Sequence, residues 1–496
     1  MAADRPDGSP GVSSASTLAP DGPPPGEDGG RPADQRPQSF ASGARILSIG
    51  IASTGIFTFA YLATASHVLD AASYSRISLC WAVMFVILSV IYRPIEQLLS
   101  RSIADRRARG IEGHSLRTPA TIQLTFAVLF FVVALLLRSN IQQGMFDGSA
   151  SLYWILVIGV MAYAASYFAR GWLAGHQRFA LYGGLVFLES TSRFIPALVV
   201  AVGLGSGQTV VGLGMAIAPF VSLSVIPLAF SRLGFDPPPP AVAAAETTEV
   251  TVADAAQEGP AHALLEEQNA DLSLRHGADF ALSVVGVMLS EQALMNAGVL
   301  IVAAKSGGGD LTTGLVGFVF NVMLIVRAPL QLFQAIQTSI LPHLAGLEAR
   351  EGAEEFHKAI RTTILVIAAF AGAVALGLLA IGPEVMKIVL GDKGGFSYGR
   401  VGLAIVGLGM GLHLTAGTLN QAALARGRAR WAAACWLTAA AAFVVFVATG
   451  PAHGNAAVTR VEVGYFGATA LLATLLWLVY RRGGSQRAPA AETIAA

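Results

Sequence analysis

Charge is what this sequence has least of. Asp, Glu, Lys and Arg make up 13% of its 496 residues, about half of the roughly 25% with which a soluble chain covers its surface. Apolar residues reach 54% and mean hydropathy is +0.60. That balance excludes a water-soluble globule and calls for lipid as the outer solvent. Cysteine is nearly missing. Cys80 and Cys435 each lie inside an apolar segment, which leaves two small core residues and no disulfide or metal site. A phosphate-binding P-loop is absent, so ATP is not hydrolysed on this chain. An excess of one charge is absent too: the net charge is +1 and the cations are dispersed among loops, so no nucleic-acid partner is expected. Residues 1–41 lack the apolar core of a signal peptide and are rich in Pro, Gly, Asp and Ser. They read as a disordered cytoplasmic tail, and 483–496 as a second, shorter one.

Long apolar runs are what the chain has in plenty. A membrane-crossing helix needs about 20 predominantly apolar residues. On that rule twelve spans are predicted, near 43–67, 73–100, 118–137, 151–174, 179–203 and 208–230, then 277–304, 312–341, 359–382, 398–422, 430–450 and 457–480. The stretch 231–276 opens on four prolines and continues through Ala, Glu and Thr, which marks a cytoplasmic linker. The expected fold is an all-α integral membrane protein, with a six-helix lobe at 42–230, another at 277–482, and a central cleft between them.

Arginines set the expected orientation. Arg101, Arg106, Arg107, Arg109 and Arg117 follow the second span. Arg170 and Arg178, then Arg350, Lys358 and Arg361, then Arg426, Arg428 and Arg430 are assigned to the loops after spans four, eight and ten. The positive-inside rule therefore places both termini in the cytoplasm of a bacterium, the chain being multi-pass in its inner membrane.

An ionisable side chain at the bilayer centre costs about 2.5–3.5 kcal/mol on insertion scales, so each one needs a reason. The halves repeat one such feature. In Ile91-Tyr92-Arg93-Pro94-Ile95-Glu96-Gln97-Leu98-Leu99 and Ile325-Val326-Arg327-Ala328-Pro329-Leu330-Gln331-Leu332-Phe333, Ile, Arg, Gln and Leu recur at one constant shift. Each arginine follows another ionisable residue, Arg45 or Asp279, at the same interval. Two lobes with buried charge at equivalent depth suggest a transporter with a polar cleft between its halves.

The candidate substrate-cleft residues are Arg45, Arg93, Glu96, Asp279, Ser283, Ser290, Glu291, Arg327 and Gln331. For each a plain structural role competes. Arg93 and Glu96, three residues apart, can neutralise each other. Arg45 sits near the cytoplasmic end and can snorkel. Arg327 has no acidic residue within a turn and needs a partner from another helix, a water-filled cavity or an anionic ligand. Glu189 and Arg193, spaced i,i+4, form either a structural ion pair or a second pair in the cleft. Asp279, Ser283, Gly286 and Ser290 share one helical face, which either lines water or packs against a neighbouring helix through small residues. Pro94 and Pro329 beside the two arginines permit a bend. Catalytic residues, metal ligands and cofactors are not expected.

Several segments carry a family resemblance: Tyr92-Arg93-Pro94-Ile95-Glu96-Gln97-Leu98-Leu99, Ala169-Arg170-Gly171-Trp172-Leu173-Ala174-Gly175, Gln331-Leu332-Phe333-Gln334-Ala335-Ile336-Gln337-Thr338-Ser339-Ile340-Leu341-Pro342 and Asn420-Gln421-Ala422-Ala423-Leu424-Ala425-Arg426-Gly427. Over 42–482, the linker excepted, the chain resembles the multidrug/oligosaccharidyl-lipid/polysaccharide (MOP) exporter superfamily, and within it the bacterial polysaccharide-type flippases. The resemblance implies spans one, two, seven and eight around the cleft. It also implies a polyprenyl-diphosphate-linked glycan as substrate, membrane lipids and a sodium or hydrogen coupling ion as partners, and glycan biosynthesis machinery nearby. Arg45, Arg93 and Arg327 would then meet the diphosphate. The alternatives are an ion-coupled multidrug antiporter of the same superfamily, which would use carboxylates such as Asp279 and Glu291, a major-facilitator transporter, and a membrane glycosyltransferase or glycan ligase. The last needs acidic catalytic pairs in sizeable external loops, and the external loops here are short.

Overall fold

The computed structural model describes residues 35–108, 116–227, 260–305, 314–327, 329–330, 352–391, 395–426, 428–451 and 453–482. Lipid offers no partner for backbone N–H and C=O groups, so a spanning segment bonds them internally as helix. Among the described residues there is accordingly no strand. The main elements are α1 (Gln35–Val68), α2 (Ala71–Ile87), α3 (Arg93–Ala108), α4 (Arg117–Leu136), α5 (Ala150–Gly175), α6 (Phe179–Ala201), α7 (Gly207–Leu223), α8 (Pro260–Lys305), α9 (Leu315–Arg327), α10 (Gly352–Leu390), α11 (Arg400–Ala425), α12 (Ala429–Ala448) and α13 (Gly454–Arg482). Ten helices are long and apolar enough to cross a membrane, α2 and α3 counting as one. The helix α1 and the shorter apolar α9 stand beside these ten, at the places of the predicted first and eighth spans.

Helix starts are capped where the chain turns back into the bilayer. Asp70 accepts from Ser73 N at 2.9 Å ahead of α2, and Ser149 from Leu152 N at 3.4 Å ahead of α5. Between α2 and α3 the helix widens into a π turn, Leu88–Tyr92, directly before Arg93 and Pro94. Proline cannot donate to the preceding turn, and a π turn absorbs that missing bond while rotating the face beyond it.

In the N-terminal lobe α5 packs on α3 and α7, and α6 on α7. The helix α1 joins through the Tyr61 hydroxyl on Val211 O at 3.1 Å and an edge-to-face contact of Phe57 with Phe187. In the C-terminal lobe α11 packs on α10 and α13, and α12 on α8 and α13. Outward-facing Leu124, Leu136, Leu365 and Leu376 are exposed, as lipid contact demands.

Some boundaries differ from expectation. The helix α1 begins at Gln35, inside the stretch read as tail, and α8 begins at Pro260, inside the stretch read as linker. Residues 228–259 and 483–496 lie outside the described set. The ninth span is longer than predicted because α10 runs from Gly352 to Leu390, ending just inside the polar stretch before Arg400 where α11 starts. Arg170, assigned to a loop, lies within α5. The compact unit is Gly43–Ala496; of the other unit, Met1–Ser42, only the start of α1 is described.

Candidate functional site

A cavity of about 400 Å³ lies between the lobes. Four arginines (Arg93, Arg170, Arg193 and Arg327) and three glutamates (Glu96, Glu189 and Glu291) line it, with Phe85, Tyr163, Tyr167 and Tyr182 among the aromatic residues. Helical rise puts Arg93 about 30 Å along from Ala71 and Arg327 about 20 Å along from Gly314. The cavity thus lies far from the Ala71 and Gly314 ends of these helices, the predicted outer ends.

The wall from the N-terminal lobe is an electrostatic network centred on Glu189. Glu189 accepts from Arg193 Nη2 at 2.9 Å, from Ser166 Oγ at 3.1 Å and from Arg170 Nη2. Arg193 also donates to the Tyr163 hydroxyl at 2.5 Å, and its guanidinium lies 5.0 Å over the Trp81 ring and 5.4 Å over Phe85. Arg170 lies 4.6 Å over Tyr167. Glu96 accepts from the Tyr182 hydroxyl at 2.6 Å. Burial makes each unpaired charge expensive, and here two cations, hydroxyls and ring faces share one carboxylate.

The wall from the C-terminal lobe is sparser. Arg327 Nη2 donates to Asn296 Oδ1 at 2.6 Å and to Met295 O at 3.3 Å, both on α8, and the guanidinium lies 4.8 Å over Phe320. No carboxylate pairs with it among the described residues. Buried N–H groups without an acceptor remain on Arg170 (Nε), Arg193 (Nε and Nη1) and Arg327 (Nε) among the described residues.

Toward the predicted outer face the lobes meet. The Tyr74 hydroxyl on α2 donates to Asn321 Oδ1 on α9, and Asn321 Nδ2 donates to the Tyr398 hydroxyl at 3.2 Å. Gly317 N donates to Ser75 Oγ at 3.1 Å, and Phe318 stacks on Tyr398 at 4.4 Å. A Cβ on residue 317 would stand 2.8 Å from the Tyr74 ring, so only glycine lets these helices close so tightly. The seal is polar, buried and made by both lobes.

Arg93, Glu96, Glu291 and Arg327 all line the cavity. Glu189 and Arg193 pair with each other and also line it. Ser283 and Ser290 do not line it. Both are buried, Ser290 Oγ donates to Gly286 O at 2.7 Å on its own helix, and Gly286 faces Leu437 and Ala433 of α12. That face of α8 serves packing, because its residues are small enough for α12 to lie close. Gln331 and the side chains of Arg45 and Asp279 lie outside the described residues. Arg170, Tyr163, Tyr182 and Asn296 were missed. Arg170 sits near the end of its apolar run, and tyrosine or asparagine in a membrane helix carries no charge to flag it.

No protein-family model and no curated protein matches the chain. Solved structures do. The inward-facing conformation of a multidrug resistance MATE family transporter of the MOP superfamily superposes with a TM-score of 0.60 at 14% identity, over 89% of this chain and 99% of the other. A mutant of the Vibrio cholerae MATE transporter VcmN gives 0.55 at 15% identity, over 90% and 98%. The eukaryotic MATE transporter AtDTX14 gives 0.53 at 13% identity, over 89% and 96%. The chain therefore has the two-lobed, all-helical fold of MATE transporters. The likeness to the superfamily read from sequence holds at the level of fold.

Proposed function

We propose that this chain is a membrane transporter that works by alternating access, carrying an organic solute through the cleft between its lobes with an ion gradient as drive. The observation that carries this reading is a polar cavity built by both lobes and sealed on one side by direct bonds between them, Tyr74 to Asn321 and Gly317 to Ser75. Such a seal has to break for the cavity to open on that side, which is the minimum an alternating-access device requires. Of the substrate classes weighed, the ion-coupled multidrug antiporter has the support of the fold neighbours, and the cleft supplies aromatic faces and three carboxylates for it.

A second reading keeps a specific observation in its favour. Three of the four cleft arginines retain buried N–H groups without an acceptor among the described residues, and spare guanidinium donors suit the oxygens of a phosphate. That supports a flippase for a polyprenyl-diphosphate-linked glycan, in the inner membrane of a bacterium with both termini in the cytoplasm.

Proteoliposomes separate the two. A fluorescent cationic dye and a fluorescent polyprenyl-diphosphate oligosaccharide would be followed side by side under imposed sodium and pH gradients. Gradient-driven dye movement that falls with Glu291→Gln supports the antiporter. Lipid flipping that falls with Arg327→Ala supports the flippase. If the protein moves neither solute under any gradient while correctly inserted, the transporter reading is wrong.

A further inference from the structure

A second cavity, of about 510 Å³, lies between the predicted outer ends of α11 and α13, apart from the central cleft. Sites for small molecules span about 300–1,000 Å³, so it has room for one. Asn455, Thr459 and Glu462 line it from one face of α13. Glu462 is only 5% exposed, yet among the described residues its carboxylate meets neither a hydrogen-bond donor nor a cation. Helical side chains lean toward the helix N-terminus, which for α13 is the predicted outer end. A Cβ on residue 402 would fall on the Glu462 carboxyl atoms. The carboxyl therefore stands level with the first turn of α11, close to the predicted outer surface.

That turn of α11 presents the opposite sign. Gly399, at its N-cap, makes no side-chain cap, and the first backbone bond runs from Leu403 N to Gly399 O at 3.0 Å. The N–H groups of residues 400–402 thus have no acceptor within the helix, and they carry the positive end of its dipole. Arg400 does not neutralise Glu462, because it is held on α10 by Glu384 Oε1 at 2.5 Å and Leu379 O at 3.3 Å. Arg460 and Lys305 are held on Phe446 O and Gly450 O, each at 2.8 Å. One pocket therefore offers a carboxylate that needs a cation and a helix end that favours an anion. Val401 and Val463, at the edge of the cavity, are 64% and 41% exposed, which opens it sideways to hydrocarbon.

We propose that this cavity is a lateral site for an aminoalkyl-phosphate lipid of the outer leaflet. The primary ammonium of the headgroup meets Glu462, to which it brings three N–H donors. The phosphate meets the first-turn amides of α11, with the Thr459 hydroxyl and the Asn455 amide as further donors. The acyl chains lie along Val401 and Val463. A free aminoalkyl phosphate has the same headgroup chemistry, but the exposed valines give it nothing to hold, so the lipid is the occupant. The site stands apart from the central cleft and from whatever crosses it.

The test places the full chain in phosphatidylglycerol liposomes with a trace of phosphatidylethanolamine that carries a photoreactive diazirine near the glycerol end of one acyl chain. Labelled peptides are then located by mass spectrometry. Labelling is expected within 397–405 and 455–463. Unlabelled phosphatidylethanolamine should displace it, whereas phosphatidylcholine, whose ammonium has no N–H, should not. Glu462→Gln is expected to lower this labelling about tenfold, the weight of one charge-assisted hydrogen bond, with the melting temperature reporting its folding. Val463→Trp, which keeps the carboxyl and covers the lipid side, is expected to lose the labelling as well. The competition in the wild-type chain decides the matter even if both variants fold poorly. Equal displacement by phosphatidylcholine, or labelling spread over other helices, overturns the site. Displacement by free phosphoethanolamine at the same concentration overturns the lipid assignment in favour of a soluble ligand.

Discussion

The two walls of the central cleft are built on opposite principles. The N-terminal wall holds two arginines, Arg170 and Arg193, on one carboxylate, Glu189, and adds hydroxyls and ring faces around them. The C-terminal wall holds Arg327 on a neutral amide and a carbonyl. A wall whose charges satisfy one another contributes to folding and rigidity. A cation balanced only by neutral dipoles keeps more of its field for whatever enters the cavity. The N-terminal lobe is thus the framework side of the cleft, and the C-terminal lobe the side with a charge free to respond.

Removing the shared carboxylate is the strongest way to break that contrast. Glu189→Gln leaves Arg170 and Arg193 facing each other without compensation. Loss of one member of a buried charge network costs about 3–5 kcal/mol. The detergent-solubilised variant is expected to melt well below the wild-type protein, as followed by intrinsic fluorescence. Unchanged melting would mean that the network holds nothing together.

Arg327→Ala is expected to do the reverse. Its hydrogen bonds run from a cation to neutral acceptors and are worth about 1.5–3 kcal/mol each. Removing it also relieves the burial of a charge without a counter-charge among the described residues, so melting should move less than for Glu189→Gln. Transport of the native solute should fall by about tenfold, equivalent to about 1.4 kcal/mol. Arg327→Lys keeps the charge and loses the planar fork, so an intermediate rate is expected for a bidentate anionic ligand. Full transport by Arg327→Ala would erase the distinction between the walls.

How far each wall could be read from sequence follows from the same contrast. Spans are legible because lipid demands long apolar runs, and the repeated Arg93 and Arg327 segments reveal equivalent helices in the two halves. Arg327, Glu291, Arg93 and Glu96 stand out as isolated charges in such runs and do meet in the cleft. The Glu189–Arg193 pair is legible because its members are one turn apart on one helix. Arg170 is not, because its partner lies on α6 and its own position near a helix end resembles ordinary inside-positive charge. The small-residue face of Ser283, Gly286 and Ser290 fits water and close packing equally well, and only the position of α12 decides between them. The outer seal is invisible for a related reason. Tyr74, Asn321 and Tyr398 are far apart in sequence and uncharged, so no local pattern joins them.

That seal is where the two lobes are compared most directly, since each supplies half of it. Tyr74→Phe keeps the ring against Gly317 and removes the bond to Asn321. One buried hydrogen bond is worth about 1 kcal/mol, about a fivefold shift toward the state open on the predicted outer side. Distances between spin labels at the ends of α1 and α8, measured by pulsed electron resonance, are expected to show a larger open population. If the distribution is unchanged, closure rests on the contact of the Tyr74 ring with Gly317 and on the bond from Gly317 N to Ser75 Oγ rather than on the Tyr74 hydroxyl.

The smallest expected effect tests where the cleft ends. Ser283 is 6% exposed, on the face of α8 whose Gly286 meets Leu437 and Ala433. Glu291 and Asn296, on the same helix, line the cavity. A cysteine at 283, with Cys80 and Cys435 replaced, is therefore expected to resist a small water-soluble thiol reagent, while one at 292 reacts. Substrate should slow the second reaction and leave the first unchanged. Ready modification at 283 would mean that α8 leaves α12 during the cycle. The C-terminal wall would then move as a separate helix rather than with its lobe, and its sparse bonding would be explained by that motion rather than by substrate recognition.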